Sequence, residues 1–88
     1  NQPALEVFPN PVQDRVSLLV DIPPDCKQLQ IQLLDLTGQV IKIAYQDKPK
    51  RTGSAEISID ILALPTGLYY LQVFADDQQL GQSKIVVE

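Results

Sequence analysis

Apolar and polar side chains alternate residue by residue along much of this chain. The clearest case is Leu29, Ile31 and Leu33, which are separated by Gln30 and Gln32. A repeat of two places all the apolar side chains on one face of an extended strand, whereas a helix would scatter them around its axis. The pattern therefore predicts β-strands with one buried face.

Short apolar segments of this kind recur along the whole chain, and none has the apolar spacing of a helix. Proline, glycine and aspartate separate them. Seven short strands with turns roughly every 8 to 12 residues are typical of a two-sheet, antiparallel, immunoglobulin-like β-sandwich. The predicted strands are Leu5 to Phe8, Arg15 to Asp21, Leu29 to Leu33, Val40 to Tyr45, Glu56 to Ile61, Gly67 to Ala75 and Gly81 to Val87.

The length of the chain predicts a single domain over residues 1–88. A domain of 88 residues buries only roughly 60 to 65% of its unfolded surface, so we expect modest stability. No apolar run approaches the roughly 18 residues that span a bilayer, so we expect no membrane-spanning segment. The opening Asn1-Gln2-Pro3 lacks the basic start of a signal peptide. We therefore expect a domain cut from a larger precursor.

The charge of the chain argues against nucleic acid as a partner. The formal net charge is −4, whereas proteins that bind nucleic acid neutralise phosphates with clustered Lys and Arg. The one basic cluster, Lys48-Pro49-Lys50-Arg51, lies in the longest predicted loop, Lys48 to Ser54. We interpret it as a solvated turn.

Few residues are suited to catalysis or to metal binding. The chain has no histidine, and Cys26 is its one cysteine, so the thiol has neither an intrachain disulfide partner nor an imidazole base. We interpret Cys26 as a half-buried apolar residue, with a thiol that pairs between chains as the alternative. Asp76-Asp77 could offer oxygen ligands, but an Asp pair between strands is typical of a turn. We therefore predict no enzyme, no metal site and no cofactor.

Two other aspartates lie near predicted turns. Leu36-Thr37-Gly38 suits a three-residue hairpin loop with glycine in the left-handed conformation. Asp35 precedes this loop, and Asp60 stands near the end of a predicted strand. A carboxylate beside a turn can accept hydrogen bonds from backbone amides, which is the role we expect for both.

A tight turn followed by a tyrosine-bearing strand is the clearest local signal. In Leu64-Pro65-Thr66-Gly67-Leu68-Tyr69, proline fixes the φ of a second turn position and glycine can adopt a positive φ. A tyrosine at the start of a late strand also fastens a corner of many β-sandwiches. We expect Gly67 and Tyr69 to maintain the fold rather than to touch a partner.

Four segments in order carry a resemblance to a known family. The chain resembles the type A C-terminal sorting domain of the type IX secretion system, whose pattern is Pro-Asn-Pro, Asp-x-x-Gly, Leu-Pro-x-Gly-x-Tyr and a final Lys-aliphatic run. Phe8 stands where tyrosine is frequent in the family, and Asp35 and Asp60 match family positions. The corresponding segments are Pro9-Asn10-Pro11, Asp35 with Gly38, Leu64 to Tyr69, and Lys84-Ile85-Val86-Val87.

The resemblance implies a sorting signal rather than an enzyme. Such domains are fused to the C-terminus of proteases, adhesins and other cargo. The fused protein is exported to the periplasm and is then recognised by shuttle components and the outer-membrane translocon. A sortase-like surface protease then removes the domain, and the cargo is attached at the cell surface or released. Recognition would use a sheet edge or terminal strand, and Lys84, Ile85, Val86 and Val87 are the best candidates. An ordinary core strand is the other interpretation of these residues, and the two roles are compatible.

Two alternatives stay open. One is a carbohydrate-binding, adhesive or fibronectin-like accessory module of a surface enzyme, for which Tyr45 and Tyr70 would be the aromatic candidates. The chain has no tryptophan and three tyrosines, which is little for such a surface. The other is self-association through an edge strand.

Overall fold

The protein is an all-β sandwich without helices in the part of the chain that the structure describes. This structure is a computed structural model and describes residues 5–8, 14–61 and 64–88. Seven strands follow one another along these residues, as the alternating pattern predicted. They are β1 (Leu5–Phe8), β2 (Arg15–Ile22), β3 (Leu29–Leu34), β4 (Val40–Asp47), β5 (Gly53–Asp60), β6 (Gly67–Ala75) and β7 (Gln78–Val87).

The strands form two antiparallel sheets. One sheet has the order β1-β2-β5, and the other has the order β4-β3-β6-β7. In an immunoglobulin constant domain the fourth strand lies beside the fifth. Here β4 pairs with β3 instead, so β5 forms one edge of the three-stranded sheet.

The core lies between the sheets and consists of the inward rows of alternating side chains. On β6, for example, Tyr69, Leu71 and Val73 are buried while the residues between them are half-buried. The buried residues of the described chain are all apolar or aromatic. The cluster comprises Val16, Leu18, Val20, Ile22, Leu29, Ile31, Leu33, Ile59, Ile61, Tyr69, Leu71, Val73, Ala75, Ile85 and Val87.

Several strand ends differ from the predicted ones. We expected a four-residue loop over Asp76 to Gln79, but β7 begins at Gln78 and leaves a two-residue turn. Likewise β5 begins at Gly53 rather than Glu56 and ends at Asp60 rather than Ile61. Strand β4 also extends to Asp47, and β2 to Ile22. The extensions arise because ladder hydrogen bonds join backbones, so pairing continues where the apolar pattern has ended.

Strand β4 departs from simple alternation. Its register with β3 shifts between Ile31 and Gln32 and again between Leu33 and Leu34. Each shift inserts an extra residue and turns the following side chains toward the other face of the sheet. As a result Tyr45 and Ala44 pack against the core, while the first half of β4 is exposed.

Candidate functional site

The turn before β6 is closed by the tyrosine that follows it. The hydroxyl of Tyr69 donates a hydrogen bond of 2.7 Å to the carbonyl of Pro65, and its ring is 8% exposed. Leu64 packs against the core from the same connection, and its amide donates to the carbonyl of Ile61 at 3.0 Å. This hydrogen bond has the geometry expected of a tyrosine that fastens a corner.

Gly67 begins β6 with a positive φ of 159°. Residues with a side chain rarely adopt a φ in this range, so a substitution here would strain the backbone, and the predicted positive φ of Gly67 is confirmed. A Cβ at this position would lie 3.8 Å from Cε2 of Tyr69, an ordinary contact distance. Glycine is therefore favoured here by the backbone conformation and not by a lack of space beside Tyr69.

Strand pairing brings two of the motif segments together. Gly67 lies opposite Val87, and Tyr69 lies opposite Ile85. Ile85 is fully buried and Val87 is 1% exposed, so both belong to the core. The final segment that resembles the family, Lys84 to Val87, therefore contributes one of its faces to the core although it belongs to an edge strand.

The alternate residues of the same segment face outward. Lys84 and Val86 are exposed, and they lie opposite Tyr70 and Leu68 on β6. Since β7 is the last strand of its sheet, this outward face lies at the border of the molecule. The structure therefore places Lys84 and Val86 where a partner can reach their side chains.

The Asp35–Gly38 hairpin lies at the same end of the four-stranded sheet. Leu34, the last residue of β3, is opposite Tyr70, so the hairpin lies beside the start of β6 and the end of β7. Gly38 has a φ of 90°, as the hairpin interpretation predicted. Three of the four motif segments therefore converge at one end of one sheet.

Asp35 holds the hairpin through its carboxylate. Its Oδ1 accepts hydrogen bonds from the amides of Thr37 at 2.9 Å and Gln39 at 3.1 Å, and from the Thr37 hydroxyl. These bonds, the hydroxyl one above all, lower the pKa of Asp35 below its ordinary value of 3.8. The predicted turn role of Asp35 is confirmed.

The lowered pKa gives a testable pH dependence. Because the folded state favours the ionised carboxylate, the contribution of Asp35 is fully present above pH 3.8 and disappears as pH falls through its folded pKa. We expect an NMR titration of this carboxyl to have a midpoint below 3.8. Thr37→Ala should raise the midpoint and Thr37→Ser should not. Equal midpoints in the two variants would contradict the assigned cause.

Other predicted residues lie apart from this cluster. Asp60 is exposed at the end of β5, opposite Arg15 in the strand register, and its role as an acceptor for turn amides stays a prediction. Pro9, Asn10 and Pro11 lie outside the described residues.

Cys26 is half-buried against the core, which confirms its interpretation as an apolar residue. Its Sγ lies 3.4 Å from the carbonyl oxygen of Gln28. Burial, followed by the charge of Asp76, raises the pKa of this thiol above its ordinary value of 9.0. A thiol with a raised pKa is mostly protonated at neutral pH and therefore a poor nucleophile.

Asp76 has a structural role that sequence reasoning located only in part. It adopts a left-handed φ of 55° in the β6–β7 turn, as turn chemistry allows. Its carboxylate accepts hydrogen bonds from the amides of Gln28 at 3.0 Å and Lys27 at 3.2 Å. We had expected amides close in sequence, but these belong to the segment that leads into β3. The Asp pair after a strand was a signal for a turn and carried no information about this distant contact.

Within residues 5–8, 14–61 and 64–88, no group of three or more His, Cys, Asp or Glu is placed to bind a metal ion. In the same part of the chain, no helix is long and apolar enough to cross a membrane.

Comparison with known families supports the resemblance that the motif segments indicated. The family model described as secretion system C-terminal sorting domain matches residues 6–88, nearly the whole chain. No curated protein shows a significant match. Domains of this family are in general non-catalytic signals that direct the protein fused to them through type IX secretion toward the cell surface or outer membrane. The chain belongs to the C-terminal sorting domain family of the type IX secretion system.

Proposed function

We propose that the outward face where β6 begins and β7 ends is the surface that the type IX translocon recognises. The observation that carries this proposal is that the segment from Lys84 to Val87 has one buried face and one exposed face. Ile85 and Val87 fix the strand in the core, whereas Lys84 and Val86 are exposed at the border of the sheet. A rigid strand that presents alternate side chains gives a partner a defined surface without involving the cargo.

The composition of this face suits recognition. Leu68 is 40% exposed and Val86 is 36% exposed, and the two lie directly opposite each other on neighbouring strands. Tyr70 and Lys84 form the next cross-strand pair. Exposed aliphatic side chains beside an aromatic ring and a cation combine apolar contact with an electrostatic one, as protein interfaces commonly do.

Recognition would be one step in the life of a larger protein. In this proposal residues 1–88 are the sorting domain of a precursor whose cargo lies before them. Shuttle components and the translocon carry the precursor from the periplasm to the outer membrane, where a sortase-like surface protease removes the domain. The cargo is then attached to an anionic lipopolysaccharide or released. The domain itself performs no catalysis, since its role ends with recognition and removal.

An accessory carbohydrate-binding module has less support from the tyrosine positions. Tyr45 lies opposite Ile31 on β3 and packs against the core. Tyr70 lies on the outward face of β6, opposite Leu34. The two rings occupy opposite faces of one sheet, so they cannot form a single aromatic platform.

The test is export of a cargo fusion that carries Lys84→Glu and Val86→Glu. Both substitutions change the outward face and leave Ile85 and Val87 in the core, so the domain should fold. We expect the fusion to accumulate in the periplasm, uncut, while the wild-type fusion appears at the surface without its sorting domain. Fractionation and immunoblotting measure both quantities.

A matched control lies on the same face of the same strand. Gln79 and Gln82 are exposed on β7 but distant from its end, and Gln82 accepts a hydrogen bond from Gln72 that a glutamate can also accept. The double variant Gln79→Glu with Gln82→Glu adds two negative charges and should be exported normally. Normal export of the folded Lys84→Glu, Val86→Glu variant would refute the proposed surface.

A further inference from the structure

Strand β5 is an edge strand with less protection than the other edges, since Glu56 and Asp60 are its only charged residues. Natural edges are blunted by bulges, prolines, lysines or short length. Strand β4 has two register shifts and Lys42, β7 has one shift and Lys84, and β1 has only four residues. In contrast, β5 pairs with β2 over eight residues without a shift and contains no Lys, Arg or Pro.

One hydrogen bond shows which residues of β5 direct their backbone amides and carbonyls toward β2 and which direct them away from it. The amide of Ile61 donates to the carbonyl of Asp14 at 2.9 Å, and these residues continue the β2–β5 register. Alternate residues of an antiparallel strand direct their backbone groups to opposite sides. Ser54, Glu56 and Ser58 therefore direct their amides and carbonyls away from β2. No strand of the described residues pairs with β5 on that side.

A cleft of about 490 Å³ with a mixed apolar and charged lining lies beside this edge. Ala55 and Ile57 line it from β5, and Tyr45 lines it from β4. All three are half-buried and pack against the core. Strand β4 pairs with β3 in the other sheet, so no described strand pairs with the edge of β5 beside the cleft.

Charged side chains of both signs line the cleft. Lys50 and Arg51, from the loop before β5, line the cleft near the start of the strand, and Asp47, the last residue of β4, lines it as well. Glu56 is exposed in the middle of β5, and the strand contains no cation to balance it. Lys50 and Arg51 are exposed, as the interpretation of a solvated turn predicted, and they also line the cleft.

We propose that β5 and this cleft bind an extended peptide segment of a partner protein as an added antiparallel strand. A row of outward backbone groups is matched best by another backbone, and alternate apolar side chains of the added strand would contact Ala55 and Ile57. The carboxyl end of an antiparallel segment lies beside Lys50 and Arg51, so an acidic residue fits there. A Lys or Arg fits opposite Glu56.

This peptide site differs from the proposed translocon surface, since β5 belongs to the three-stranded sheet and β7 to the other. A second copy of the chain is a poorer occupant because each copy carries a net charge of −4. Two β5 strands would also bring Glu56 and Asp60 of both copies together without a cation on either strand. Like charges across paired strands are destabilising.

The probe is a synthetic peptide with the order Thr-Val-Lys-Val-Thr-Val-Asp and a free carboxyl terminus. Amide hydrogen exchange of the isotope-labelled chain, followed by NMR, measures binding residue by residue. We expect the amides of Ser54, Glu56 and Ser58 to exchange roughly tenfold more slowly when free peptide is at ten times its Kd. Amides of β7 should be unaffected. A peptide of the same composition with its three valines adjacent should give no protection.

Two variants of Glu56 separate the contribution of its backbone amide to peptide binding from that of its side-chain charge. Glu56→Pro removes an amide that faces the edge and that β2 does not use, so the fold should persist while peptide binding is lost. Glu56→Gln keeps the amide and should retain binding, with reduced affinity. If Glu56→Pro melts early, protection of Ser54 and Ser58 in the wild type still decides the question.

Three results would overturn the proposal. The first is no protection of the β5 amides at millimolar peptide. The second is equal protection by the peptide with adjacent valines. The third is self-association of the chain without peptide, measured by sedimentation, that Glu56→Pro abolishes, because a second copy would then be the occupant.

Discussion

Replacing Tyr69 with alanine is expected to lower the free energy of unfolding by about 3 to 5 kcal/mol, the usual cost of removing a large aromatic side chain from a core. The ring is 8% exposed and belongs to the main core cluster. Its removal leaves a cavity between the sheets and also breaks the hydrogen bond to the carbonyl of Pro65. The whole free energy of unfolding of a small domain is about 5 to 15 kcal/mol, so the loss is a large share of its stability.

Two matched variants divide this effect into its parts. Tyr69→Phe keeps the ring and removes only the hydroxyl, so it should cost about 0.5 to 1.5 kcal/mol. Tyr70→Ala removes the neighbouring ring, which is half-buried on the outward face, and should cost less than Tyr69→Ala. Urea or thermal unfolding measures all three. If Tyr69→Ala and Tyr70→Ala melt at the same temperature, Tyr69 does not hold the corner.

The inward rows of the sandwich could be predicted because each depends on local pattern alone. Alternation at Leu29, Ile31 and Leu33 gave the buried face of β3, and all three residues are fully buried. The same rule correctly separated Ile85 and Val87 from their exposed neighbours. The face of a strand follows from its period of two, which needs no knowledge of its partners.

The arrangement of β4 and β5 could not be predicted in this way. Val40 to Tyr45 lacks strict alternation, and the two register shifts that place Tyr45 against the core arise from pairing with β3. Whether β4 joins β3 or β5 is decided by contacts between distant segments. The open edge of β5 and its cleft follow from that choice, so no local pattern in the sequence indicates the cleft.

The candidate recognition surface was predicted only in part. Its residues came from a resemblance in the last segment of the chain, and their alternation indicated which of them face outward. Their pairing with Leu68 and Tyr70 became visible only in the register of β6 and β7. Cross-strand neighbours depend on where a hairpin turns, and the predicted loop over Asp76 to Gln79 was two residues too long.

Asp76→Ala is expected to lower the free energy of unfolding by about 1.5 to 3 kcal/mol, the range for hydrogen bonds to a charged group. The carboxylate accepts hydrogen bonds from the amides of Lys27 and Gln28, and the amide of Asp76 donates to the carbonyl of Gln28 at 2.8 Å. These contacts connect the β6–β7 turn to the start of β3. The left-handed φ of 55° adds a further cost, because alanine adopts it less readily than aspartate.

Glycine and asparagine at the same position separate the carboxylate from the backbone. Asp76→Gly adopts the left-handed φ without strain but loses the acceptor, so it should be more stable than Asp76→Ala by up to about 1 kcal/mol. Asp76→Asn keeps one acceptor oxygen and tolerates this φ, and should be the mildest of the three. Amide exchange at Lys27 and Gln28 should quicken in the alanine and glycine variants alike. If exchange there is unchanged in both, the carboxylate does not hold this segment, and the connection between the turn and β3 rests on the backbone hydrogen bond alone.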